Sequence, residues 1–96
     1  MLYAVQCRDK ANHAHVRQEN RPAHLEFLKS WGDKVLFGGP LLTDDGEGMI
    51  GSLLVLDVEG RAEAEAFAAG DPYGKAGLFE TVTITRYKIV VGSKAD

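Results

Sequence analysis

Cysteine is almost missing from this chain. Cys7 is the only one among 96 residues, so no disulfide can form within the chain, and a reducing, cytoplasmic setting is the expectation. Long apolar runs are missing too. None approaches the ~20 residues of a membrane span, and the opening MLYAVQCRDK has no basic segment ahead of its apolar run, so neither a membrane partner nor a secretory signal is expected. The 11 basic residues are scattered, the net charge is −3 and the pI is about 5.5. Nucleic-acid binding rests on clustered Lys and Arg, which argues against such a partner. There is no glycine-rich phosphate loop, no nucleophile elbow, no internal repeat and no low-complexity segment.

What is present is a globular composition, 45% apolar. The length suits one domain over residues 1–91, with the polar GSKAD of 92–96 as a flexible tail. LYAVQCR (Leu2–Arg8) is apolar on both faces and predicts a central strand. DKANHAHVRQEN is polar and helix-permissive, a loop or a short helix. Pro22 suits a helical first turn, where its missing N–H costs nothing. The main first helix is therefore predicted from about Arg21 to Trp31, ended by Gly32-Asp33. KVLFGGPLL (Lys34–Leu42) reads as a strand that Pro40 confines to an edge or a bulge. TDDGEG is a turn, and MIGSLLVLDV (Met49–Val58) the strand that returns antiparallel to the second. RAEAEAFAAG (Arg61–Gly70) is an alanine-rich helix, DPYGKAGL a turn or helical turn, and FETVTITRYKIVV (Phe79–Val91) a long alternating strand.

The order β-α-β-β-α-β is that of a ferredoxin-like α+β sandwich, an antiparallel sheet with two main helices on one face. Within the last strand the apolar set changes phase after Arg86, which calls for a bulge or for apolar surface on both faces. Two helices cover only one face. A domain this small buries only ~60–65% of its unfolded surface, and the other sheet face is apolar in its first, third and last strands. A homodimer through that face is the expected partner.

One residue on the first helix is out of keeping with packing. With His24 at the origin of a helical wheel at about 100° per residue, Trp31 falls about 20° away, Leu28 about 40° and Phe27 about 60°. The imidazole occupies the middle of an apolar arc where leucine would pack better. It is either a core histidine satisfied by a backbone carbonyl or a working group. An unpartnered buried imidazole costs on the order of 1–3 kcal/mol.

Other residues carry similar double readings. Asp71 before Pro72 forms an N-cap step, and its carboxylate has lone pairs enough to orient His24 as well. Ser52 interrupts an apolar strand and Tyr73 follows the Asp-Pro step. Each suits a ligand hydrogen bond or a structural one. Gly38-Gly39-Pro40 lets backbone approach a ligand, or marks a bulge. His13 and His15 form an H-x-H pair without a third ligand at fixed spacing, and TDDGEG lacks the acidic spacing of a calcium loop. No metal site is expected. Cys7 reads as a small core residue.

At RPAHLEFL, GGPLL and DPYGKAGLFETVTI the chain resembles the YciI-like (YCII-related) family, and the likeness runs from Leu2 to about Val91. Gly70 before the aspartate is a minor departure. The resemblance implies a dimeric α+β barrel and an active site built on a histidine and an aspartate, matching His24 and Asp71. It also implies that the fold can host an enzyme, since a related activity is dehydrochlorination of a chlorinated hydroxyquinol; the substrate does not transfer with the fold.

Two functions follow as expectations. The first is a small cofactor-free enzyme with His24 as general acid/base, acting by isomerisation or elimination on a small cyclic or aromatic metabolite. Phe27, Leu28 and Trp31 would line its cleft, and Ser52, Tyr73, Gly39 and Pro40 would bind substrate. The alternative is a non-catalytic dimeric module that binds a small molecule. An open pocket where His24 meets Asp71 would favour the first.

Overall fold

The computed structural model describes residues 1–93. Of the expected tail 92–96, residues 94–96 lie outside the described residues. Four strands, β1 (Leu2–Asp9), β2 (Val35–Leu42), β3 (Met49–Asp57) and β4 (Phe79–Tyr87), make one antiparallel sheet in the order β2-β3-β1-β4. Helices α1 (Ala14–Trp31) and α2 (Arg61–Gly70) and the short α3 (Pro72–Lys75) complete it. This is the ferredoxin-like βαββαβ arrangement. β1 is central and β2, carrying Pro40, is an edge strand.

Alternation along β1 sorts the two sheet faces. Tyr3, Val5 and Cys7 are buried and sit opposite Leu56, Leu54 and Ser52 of β3. Phe67 and Ala64 of α2 join that cluster, with Phe27, Leu28 and Trp31 of α1 packed against it. Fully burying a side chain such as Leu54, Leu56 or Phe67 contributes about 1.5–3 kcal/mol each, so this layer holds the helices to the sheet. On the other face Leu2, Ala4, Leu53, Val55 and Phe37 lie in register with Gln6 and the threonines of β4. Gly51 marks a close approach within the sheet: a Cβ there would lie 2.3 Å from the Cys7 carbonyl oxygen.

The structure corrects the sequence reading in three places. α1 starts at Ala14, not near Arg21, and Pro22 lies inside the helix rather than in its first turn. The residues before it are good helix formers, and Arg17 is anchored to Asp9, so tertiary contact outweighs the bond that proline removes. The carbonyl that loses its partner belongs to Gln18, an exposed residue where water can serve. The last strand ends at Tyr87, not Val91, and Val90 and Val91 are 74% and 81% exposed. The phase change after Arg86 is therefore the chain leaving the sheet. The irregular pairing of β4 is at its start, where Arg8 faces Thr81 but Asp9 faces Phe79.

Candidate active site

The centre of α1 and the start of α3 converge beside the β2–β3 end of the sheet. Asp71 is the N-cap of α3, and its Oδ1 accepts the Tyr73 backbone N–H at 3.0 Å. The same oxygen accepts His24 Nδ1–H at 2.8 Å, so cap and orienter are one atom. The contact fixes the neutral tautomer with its proton on Nδ1 and leaves Nε2 as the basic nitrogen. The Tyr73 ring stacks on the imidazole with centroids 4.0 Å apart and planes 15° from parallel. Asp71 is 2% exposed and His24 7%.

A second buried pair adjoins the first. Arg17 donates through Nε and one terminal nitrogen to the two oxygens of Asp9, both at 2.8 Å, and through that terminal nitrogen to Ser52 Oγ at 3.0 Å. Its guanidinium carbon is 4.6 Å from the Tyr73 ring centroid, in cation–π range. Burial works against the Arg17 charge, but the Asp9 carboxylate more than restores it, and the pKa stands above the ordinary arginine value. Tyr73 is pushed up by burial, against the pull of Arg17 and Arg21. The Cys7 thiol is pushed up to about 12, first by burial and then by the charges of Asp71 and Asp9. It is a protonated core thiol and no nucleophile near neutral pH.

These groups surround an open cavity of about 200 Å³. His24, Ser52, Tyr73, Gly39 and Pro40 all line it, as does Leu28. Asp71 does not; it stands behind the imidazole. Phe27 and Trp31, expected at the cleft, are turned away from it. Phe27 meets Phe67 at 5.2 Å and Trp31 meets the same ring edge-on at 5.1 Å, so both belong to the α1–α2 core. His13 caps no ligand set: its Nδ1–H donates to the Ala11 carbonyl at 2.7 Å, and among the described residues no group of three metal-ligating side chains converges.

Sequence reasoning missed Arg17, Arg21, Asp9 and Met49. Asp9 holds Arg17, and the other three line the cavity. The signal for the arginines was the spacing 17, 21, 24, 28, 31, alternately four and three residues, which is one helical stripe. Starting the helix near Arg21 removed its first turns, and Arg17 with them, from view.

The YCII-related domain matches residues 1–88 of the chain. The chain belongs to the YCII-related family. Protein YciI of Escherichia coli O6:H1 is 35% identical over 97 residues, spanning 94% of this chain and 99% of that protein. An uncharacterized protein of Haemophilus influenzae is 31% identical over the same shares. Among solved structures, 5-chloro-2-hydroxyhydroquinone dehydrochlorinase from Burkholderia phenoliruptrix, in complex with 2,5-dihydroxybenzoquinone, superposes with a TM-score of 0.86 at 34% identity, covering 100% of both chains. A crystal structure from Agrobacterium tumefaciens, 18% identical with a TM-score of 0.58 over 100% of both chains, shares the fold. The chain thus has the α+β fold of the dimeric α+β-barrel class.

Proposed function

We propose that this protein is a small cofactor-independent lyase or isomerase in which His24 moves a proton on a planar cyclic substrate. The observation that carries this reading is the 2.8 Å bond from His24 Nδ1–H to the buried Asp71, at the wall of an open cavity. Nε2 is the nitrogen left for the substrate. It takes the proton of a ring hydroxyl, whose electron pair moves through the ring, and the imidazolium gives that proton to a ring carbon. In an elimination the leaving group on that carbon then departs with its bonding pair as a second hydroxyl loses its proton to solvent; in an isomerisation the proton moved from oxygen to carbon is the whole change. Both outcomes are redox-neutral. Asp71 acts through His24 as a positioning residue.

Tyr73 lines the cavity with its ring stacked on the imidazole, and so helps to hold His24 in place. Ser52 Oγ already accepts from Arg17, so its own proton is free to donate to a substrate oxygen. Gly39 and Pro40 form a wall of the cavity with little bulk. The whole-chain likeness to a dehydrochlorinase supports the reaction class. Two copies are proposed to join through the open sheet face around Leu2, Leu53 and Phe37, which light scattering of a stable monomer would refute. A cytoplasmic location suits the single free thiol.

The test takes 5-chloro-2-hydroxyhydroquinone as first substrate and follows chloride release. It also follows exchange of the ring proton of 2,5-dihydroxybenzoquinone with D2O by NMR. His24→Gln should lower both by about 10²-fold or more while its urea unfolding stays near wild type. Equal rates in His24→Gln would end the acid/base reading. Binding by the wild type without His24-dependent exchange would favour the non-catalytic module.

A further inference from the structure

The charges around the cavity do not cancel. Among the described residues no Asp or Glu lines it. The two nearby buried carboxylates are engaged from behind, Asp71 by His24 and Asp9 by Arg17. Arg17 contributes little net charge because Asp9 meets it through two parallel bonds. Arg21 is different. It lines the cavity, is exposed, and makes no ion pair among the described residues. It precedes His24 by three residues on the same face of α1, so guanidinium and imidazole address one opening. Its field reaches the interior, where it draws the Tyr73 hydroxyl back from the upward push of burial.

We infer that the cavity selects a planar ring bearing an ionised oxygen, and that Arg21 is the specificity-determining residue that holds this oxygen. The inference rests on the proton-transfer reading and names its substrate class. A single unpaired guanidinium matches one oxyanion. The apolar walls made by Leu25, Leu28 and Leu54 suit a flat apolar body better than a compact phosphate. The chemistry requires the same placement. When a proton passes between His24 and a ring carbon, charge shifts between the ring and its oxygen, and a cation already facing that oxygen stabilises it there.

The test measures binding of 2,5-dihydroxybenzoquinone, ionised at neutral pH, and of its neutral dimethyl ether by calorimetry. Wild type, Arg21→Gln and Arg21→Lys are compared. Arg21→Gln should weaken the anion by about tenfold or more, the weight of a charge-assisted hydrogen bond. Arg21→Lys should recover part of that loss. The neutral ether should not distinguish wild type from Arg21→Gln. Added salt should weaken the anion in wild type more than in Arg21→Gln. Equal anion affinity in wild type and Arg21→Gln overturns the inference, as does absence of anion binding by the wild type. The two readings separate in the ring-proton exchange assay. Exchange that needs His24 with binding indifferent to Arg21 removes only this inference. Arg21-dependent binding without His24-dependent exchange removes only the catalytic reading.

Discussion

Replacing Asp9 by asparagine should push stability and ligand binding in opposite directions. In the native protein Asp9 and Arg17 side chains are 8% and 6% exposed and joined by two bonds of 2.8 Å. Asparagine keeps the shape and one acceptor but turns an N–H2 group towards a guanidinium donor, leaving a buried cation uncompensated. Breaking such a pair from one side costs about 3–5 kcal/mol. The Arg17 guanidinium stays protonated throughout, so it cannot escape the cost by neutralising. A domain of this length has about 5–14 kcal/mol of stability in all, so the variant should remain folded in buffer. Its urea midpoint should fall by roughly 1–5 M for a slope of ~1–3 kcal/mol/M. The same change strips the Arg17 charge of its partner beside the cavity, so 2,5-dihydroxybenzoquinone should bind the folded variant more tightly than wild type. The double variant Asp9→Leu/Arg17→Met should recover most of the stability and lose the gain in binding. A loss below about 0.5 kcal/mol for Asp9→Asn would show the pair to be solvent-screened, and weaker binding by the folded variant would refute the charge argument.

Asp71→Asn keeps a cap for Tyr73 and an acceptor for His24 but no charge. Urea unfolding should show a cost of about 1–2 kcal/mol, against a loss of roughly 10²-fold or more in ring-proton exchange; a structural role would move only the first. Cys7 provides a pH test. Its folded pKa is raised from 9.0 to about 12, chiefly by burial, so the folded state holds the thiol proton more tightly than the unfolded chain. That contribution is complete below the unfolded value and is lost as pH rises through this window. Stability followed by urea titration should therefore fall above pH 9.0, with a shallower decline in Cys7→Ala; identical slopes in the two proteins would contradict it.

Much of the architecture was legible because its signals are local. The apolar runs of Leu2–Arg8 and Met49–Val58, the Gly32 and Gly70 stops and the Asp-Pro step each report on backbone a few residues wide. The start of α1 was not legible, because Pro22 is a strong local signal for a helical first turn and the force that overrides it comes from Asp9, on a strand before the helix. The same reach hid Arg17: without the earlier start it is a charge in a polar segment, with it Arg17 joins the stripe of Arg21 and His24. Phe27 erred in the other direction. Its wheel position near His24 suits the cavity edge as well as the core, and only the place of Phe67 on α2 settles which side it faces.

By itself the sequence determined the order of elements, the apolar faces of the sheet, the anomalous imidazole at His24 and an aspartate able to cap and to orient. Those follow from periodicity and from the hydrogen-bonding capacity of single residues. Which charges share a cavity was decided by the tertiary structure alone. Asp71 and His24 stand 47 positions apart in the sequence, and Arg17 and Ser52 35. Their contacts exist because the antiparallel sheet sets the distance between α1 and the loop after α2, a distance no local pattern encodes.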